Sequence, residues 1–389
     1  MLEKVILNNF KSFKNQTIID LSKTNYTILP ENVSDHGILK GCIFVGANAS
    51  GKSNIVLSIK LLLDFLFLER NVNSGMFKCL FSKNMKYSID YYFLIEGSHI
   101  RYYFEMALEK NMICEKLYVD DDLKMERIGT SAKSYIADPS GIVYDENDID
   151  KETLFLRTLY FNTRFTKNPV LKAWMEYLSN SVYINAFERT IISYGKENVG
   201  LIKYLKNDGS DKINKFFDEY NFEQNIEYVH SSEGRNVTIM APGDENEKYI
   251  FFKRKGVDEP IPFNEESLGN QNLLRMLPAF LNVISKGGML LIDEFSSGFH
   301  NDLESLLVRY FMVNSKNAQL LFVSHSTNLL TNSLLRPDQE YTVEFHGKEG
   351  SSVRRFSTEQ PRSAQNIEKM YASGVFGGLP DYKEVEDED

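Results

Sequence analysis

Eight consecutive residues, Gly46-Ala47-Asn48-Ala49-Ser50-Gly51-Lys52-Ser53, carry the densest chemical signal in this 389-residue chain. Their spacing is G-x-x-x-x-G-K-[ST], a loop whose glycines let the backbone wrap around phosphates. Its amides, and the N-terminus of a helix that follows, then point at the anion. Lys52 is expected to reach the β- and γ-phosphates of ATP, and the Ser53 hydroxyl to bind Mg²⁺. Gly46, Asn48, Ser50, Gly51, Lys52, Ser53 and the next residue, Asn54, make up the expected nucleotide-binding set.

Three more segments follow in a telling order. Met289-Leu290-Leu291-Ile292-Asp293-Glu294 is four apolar residues ending in two acids. A buried parallel strand reads as such a run, and α/β sheets place ligands at the carboxyl ends of their strands. Asp293 is expected to hold Mg²⁺, directly or through water, and Glu294 to orient and deprotonate an attacking water. Gln319 to His325 (QLLFVSH) is a second apolar strand with a polar end. It follows the acidic strand by one helix, the place for a His325 that senses the γ-phosphate. Glu266 to Gln271 (ESLGNQ) lies just before the helix that leads to the acidic strand. Its S-x-G also suits an N-cap with a tight turn; its order between the phosphate loop and the acidic strand raises Ser267 and Gly269 to candidates.

The elements that must position these residues are legible in outline. Residues 4–10 and 39–45 read as strands, and 53–68 as a helix with apolar residues at helical spacing. Residues 86–120 hold three aromatic and β-branched runs separated by short turns, which predicts an antiparallel meander. Residues 151–220 read as mostly helical, for example VLKAWMEYLSNSV, before short strands return at NIEYVH, NVTIMA and KYIFFKRK. The last third returns to α/β.

Composition sets bounds. Lys and Arg total 44 against 54 Asp and Glu, a net charge of −10, which argues against a protein coating nucleic acid or anionic lipid with its whole surface. Part of the deficit sits in an acidic tail, Asp381 to Asp389, expected to be solvated. The three cysteines, Cys42, Cys79 and Cys114, show neither a disulfide framework nor zinc spacing, so a reducing cytoplasm is the expected home. The most apolar helical stretch, Ile55 to Leu68, is broken by Lys60 and Asp64 and cannot span a bilayer. The start, MLEKVILNNF, lacks the basic, apolar and small-residue segments of a signal peptide.

Together these motifs resemble the nucleotide-binding heads of ABC, SMC and RecF-type ATPases. Asn9-Phe10-Lys11-Ser12-Phe13 is similar to their N-terminal strand-turn, in which the basic residue, here Lys11, lies near the nucleotide. More closely, the chain looks like the ABC-type AAA ATPases of the RloA and abortive-infection group, relatives of the OLD proteins of prokaryotic defence loci. That likeness runs through HIRYYFEM, ICEKLYV, ESLGNQNLL, LLIDEFSSGFH, LLFVSHSTNLL, LLRPDQEYTV and NIEKMYASGVFGGLP. The segment SSGFH, with Ser297 and His300, departs from the group's short Ser-Leu-His turn, and Asn270 stands where the group commonly has Thr. No Q-loop glutamine is assigned.

The resemblance implies an α/β fold: an ABC-type P-loop ATPase head with an antiparallel β lobe and a mainly helical insertion. Residues 1–140 and 236–389 would form the head, and 141–235 the insertion. It also implies a homodimer or higher homo-oligomer sandwiching ATP, with Ser267 and Gly269 of one subunit facing the γ-phosphate held by Lys52 of the other. The functional expectation is an ATP-hydrolysing switch or sensor in antiphage defence. It would control a separate effector, a nuclease or toxin, with DNA or a phage protein as candidate trigger. After His325 only 64 residues remain, too few for the Toprim nuclease domain of OLD proteins. The rivals are a RecF- or SMC-like DNA-binding ATPase of repair, and a scaffold that binds ATP without turnover. Trp174, Tyr177, Tyr91 and Tyr92 are candidate contact residues or core.

Overall fold

The computed structural model describes residues 1–68, 70–71, 75–137, 141, 143–195, 199–230, 248–297 and 299–379. NVTIMA and the acidic tail lie outside the described residues. The chain opens with β1 (Leu2–Asn8), β2 (Thr17–Asp20) and the wholly buried β3 (Gly41–Val45), followed by helix α1 (Lys52–Phe67). Next come β4 (Lys86–Ile95), β5 (Ser98–Ala107) and β6 (Met112–Val119), the expected meander. It continues into β7 (Asp122–Ile128), β8 (Ser131–Ser134) and β9 (Asp145–Glu146). These strands join β1 and β2 in one eight-stranded antiparallel sheet, in the order β2-β1-β4-β5-β6-β7-β8-β9.

Helices α2 (Phe155–Thr163) and α3 (Pro169–Ser179) follow, then β10 (Val182–Asn185), β11 (Thr190–Ser193), α4 (Leu201–Asp208) and α5 (Asp211–Glu219). Here the helical reading of 151–220 needs correction. The helix expected to run through VLKAWMEYLSNSV ends at Ser179, and two strands follow that belong to the central sheet. Strands β12 (Gln224–His230), β13 (Lys248–Arg254) and β14 (Ile261–Pro262) make a small antiparallel sheet. The rest is α6 (Leu268–Lys286), β15 (Gly288–Asp293), α7 (Asn301–Asn314), β16 (Ala318–Val323), β17 (Glu340–Phe345), β18 (Ser351–Arg355) and α8 (Ile367–Ala372).

The central sheet has seven strands in the order β11-β10-β15-β16-β3-β17-β18. Its five inner strands, β10, β15, β16, β3 and β17, run parallel. Both of its faces are covered, as a parallel sheet requires. Along β16, Leu321 and Val323 enter one apolar core with α1, α3 and the β lobe, while Leu320 and Phe322 enter a second with α6 and α7. That alternation makes the sheet a rigid floor between two cores.

Trp174 is fully buried, with its ring 5.6 Å from that of Phe93. The Tyr177 hydroxyl donates to Gln319 Oε1 at 2.6 Å and the Tyr91 hydroxyl to the Ser58 carbonyl at 2.7 Å, both in the core. Of the four aromatic candidates, three are therefore packing residues. Tyr92 stands partly open on the β lobe, with Lys4 Nζ 4.2 Å from its ring centre. Among the described residues, no helix is long and apolar enough to cross a membrane.

Candidate functional site

Because β10, β15, β16 and β3 are adjacent and parallel, their carboxyl ends deliver four loops to one edge of the sheet. The glycine-rich loop leaves β3 there and opens α1 at Gly51. Gly51 sits at φ +110°, and a Cβ on it would come within 2.5 Å of Ser12 Oγ and 2.7 Å of Ser351 Oγ. Only glycine fits such a position without displacing those neighbours. Ser12 belongs to the NFKSF turn and accepts a hydrogen bond from Asn54 Nδ2 at 2.9 Å; Ser351 Oγ donates to the Ser50 carbonyl at 2.5 Å. The loop is thus clamped from two sides, while Asn48 at its tip and Ser53 stay exposed.

Lys52 is 5% exposed and its ammonium donates to the carbonyls of Gly46 at 2.9 Å and Ala47 at 2.7 Å. Burial pushes its pKa below the ordinary lysine value, opposed by the charges of Glu294 and Asp293. Ser53 Oγ donates to Asp293 Oδ1 at 2.8 Å. Burial raises the Asp293 carboxyl above its ordinary range, and the negative charge of Glu294 adds to this; the Ser53 hydrogen bond works against it. Glu294 lies one residue past the strand at φ +57°, a left-handed conformation that costs a non-glycine residue about 1 kcal/mol. From there its Oε2 stands 3.4 Å from His325 Nε2, and both side chains remain about one-third exposed.

The structure therefore brings Lys52, Ser53, Asp293, Glu294 and His325 into one cluster. Oxygen donors from a hydroxyl and carboxylates suit a hard divalent cation, and the lysine with the helix N-terminus suits phosphate. The residues present fit an Mg²⁺–nucleotide.

Other candidates sit apart from that cluster. Lys11 lies over the Phe77 ring, its Nζ 5.4 Å from the centre, and burial lowers its pKa. Ser267 caps α6 by accepting the Asn270 N–H at 3.3 Å, and its own N–H donates to Glu266 Oε1 at 2.7 Å. Arg254 holds Glu266 at 2.6 Å. Ser267 is exposed and Gly269, in the first helical turn, is partly so. Since α6 runs directly into β15 through Gly287, its N-terminus returns to the same end of the sheet as Asp293.

Sequence reasoning missed several supporting residues. Ser296 Oγ accepts the His325 backbone N–H at 3.1 Å. Asn185 stands opposite Asp293 in the β10–β15 ladder, and the Ala186 N–H donates to the Asp293 carbonyl at 3.0 Å. Only recognition of VYIN as a strand would have found these last two. Ser297 and His300 prove to shape the turn. The Ser297 N–H donates to the Glu294 carbonyl at 2.9 Å, and the exposed His300 caps α7 by accepting the Asp302 N–H at 3.4 Å.

Comparison with known structures bears on the fold. An SMC head bound to the C-terminal winged-helix domain of ScpA matches at a TM-score of 0.52 and 16% identity, covering 91% of this chain and 96% of that one. The SMC head domain from Thermotoga maritima matches at 0.48 and 15%, covering 91% and 98%. The fold is similar to that of an SMC head domain. Among curated sequences, isoleucine–tRNA ligase of Mycoplasmoides gallisepticum is 28% identical over 123 residues, 30% of this chain but 14% of the ligase. A protein-family model described as "AAA domain, putative AbiEii toxin, Type IV TA system" matches residues 43–331, and the chain belongs to that family.

Proposed function

We propose that the protein binds and hydrolyses ATP with Mg²⁺, dimerises around the nucleotide, and acts as a switch in antiphage defence that controls a separate nuclease or toxin. The observation that carries this reading is the cluster at the strand ends, where Ser53 meets Asp293 at 2.8 Å and Glu294 meets His325 at 3.4 Å. In it Lys52 holds the β- and γ-phosphates, while Ser53 and Asp293 hold Mg²⁺. The cation supplies charge neutralisation at the transferring phosphoryl group. Glu294 orients water and takes its proton, and His325 senses the γ-phosphate. Gly46, Asn48, Ser50, Gly51 and Asn54 shape the phosphate cradle, with Lys11 at its flank.

Ser267 and Gly269 act on the nucleotide of a second copy; the exposure of Ser267 and the partial exposure of Gly269, at the start of the helix that leads to Asp293, support this. Residues 1–140 and 236–389 form the head, to which β9, β10 and β11 also contribute, and the remainder of 141–235 is an insertion. The absence of any membrane-crossing helix among the described residues is compatible with a cytoplasmic home.

A RecF- or SMC-like role on DNA is the second reading, favoured by the fold likeness over 91% of the chain. Turnover of ATP by purified wild-type and Lys52→Ala protein tests the shared core of both. Activity in wild type that Lys52→Ala lowers by at least about 100-fold supports it. Equal rates would refute the assignment of the loop.

A further inference from the structure

The last described segment reaches both ends of the candidate site. At one end, Thr327 Oγ1, two residues beyond His325, donates to Glu368 Oε1 on α8 at 2.8 Å. One helical turn further along the same face, the Tyr371 hydroxyl donates to the Gly378 carbonyl at 3.3 Å. That carbonyl also accepts the Ala47 N–H of the phosphate loop at 2.9 Å. Hydrogen bonds thus join Thr327 to Glu368, and Tyr371 and Ala47 to the Gly378 carbonyl, with the backbone of α8 carrying the path from Glu368 to Tyr371.

Packing holds this path in place. Phe376 stacks on Phe356 with ring centres 3.9 Å apart, and Thr342 Oγ1 donates to the Phe376 carbonyl at 2.7 Å. Gly378 is at φ +75°, and a Cβ there would lie 3.1 Å from Thr342 Cβ and 3.6 Å from Gly46 Cα. Glycine alone lets the backbone lie this close to the loop.

We propose that residues 367–378 form a strap that couples the loop after His325 to the phosphate loop, with Glu368, Tyr371 and Gly378 as positioning residues. The inference rests on the proposed nucleotide site for its purpose, though not for its geometry. A strap of this kind transmits the state of the γ-phosphate, felt at the His325 loop, to the backbone that grips the phosphates.

The test is amide hydrogen exchange over residues 46–53 in the full-length, nucleotide-free protein, read beside exchange in the β lobe. Glu368→Leu, which removes the acceptor at the far end, is expected to speed exchange at Ala47 by about fivefold, the factor of one ordinary hydrogen bond. Tyr371→Phe, which keeps the ring and loses only the hydroxyl, is expected to do the same. Glu368→Gln keeps an acceptor oxygen and is expected to restore the wild-type rate, and the β lobe stays unchanged in all three. If Glu368→Leu destabilises the fold, Thr327→Val breaks the same contact from the other side. Unchanged exchange at Ala47 in the Glu368 or Thr327 variant overturns the strap. Absence of ATP turnover in the wild type would instead count against the proposed function, because the exchange measurement needs no nucleotide.

Discussion

Ser53 Oγ donates to Asp293 Oδ1 at 2.8 Å, joining the first turn of α1 to the end of β15 across 240 residues of sequence. One strand, β16, lies between β15 and β3, whose loops carry these residues, so only the finished sheet brings them together. The pair places a hydroxyl and a carboxylate where one divalent cation can take oxygen from both.

Ser53→Ala should therefore weaken Mg²⁺ more than nucleotide. The expected result is a rise of at least about 10–100-fold in the Mg²⁺ concentration for half-maximal turnover, the cost known for losing even an outer partner of a metal site. Titration of Mg²⁺ at fixed ATP checks it. An unchanged midpoint would remove Ser53 from the metal site.

Shared sites predict complementation. Lys52→Ala and Ser267→Arg proteins should each be nearly inactive alone. Random mixing makes half the pairs mixed, each with one intact composite site of two, so about one quarter of wild-type turnover should return. No recovery, with mixed dimers demonstrated by light scattering of tagged pairs, would make each subunit self-sufficient.

A buried acid gives a pH prediction away from the site. Glu340, on β17, is fully buried, and neither carboxyl oxygen has a hydrogen-bond partner among the described residues. Burial holds its pKa well above the usual carboxylate range, and the charge of Asp338 adds to this. The folded state thus binds the proton more tightly than the unfolded chain. Its stabilising contribution is complete below the unfolded-state pKa and is lost as pH rises through the folded one. Glu340→Gln cannot ionise, so it should flatten the alkaline side of the stability curve and gain about 1–3 kcal/mol there. Denaturant midpoints across the pH range decide it; parallel curves for variant and wild type would contradict it.

What the sequence made legible follows from burial. Strands β3, β15 and β16 are covered on both faces, so each reads as an unbroken apolar run, and its polar end marks the site. Asp293, Glu294 and His325 stand at or just past such ends, while Lys52 is marked by the glycine-rich spacing that follows β3. Strand β10 could not. Two residues separate it from an amphipathic helix that ends at Ser179, and its first residue, Val182, closes the helix-like run VLKAWMEYLSNSV. Asn185 and Ala186 were hidden for this reason. Trp174 and Tyr177 have the composition of contact residues, and only packing against Phe93 and Gln319 assigns them to the core. The segment from Glu368 to Gly378 lies within NIEKMYASGVFGGLP, which carries part of the family likeness, but its partners Thr327 and Ala47 lie far away in sequence, so its contacts were not legible.

ATP hydrolysis with Mg²⁺ is expected to depend on Glu294 as the base. Steady-state turnover of wild-type and Glu294→Gln proteins, measured side by side at saturating ATP and Mg²⁺, tests it most directly. Wild type should hydrolyse ATP, and Glu294→Gln should be slower by about 10²–10⁴-fold, the usual cost of removing a general base. Equal turnover in the two proteins, or none in the wild type, would contradict the account.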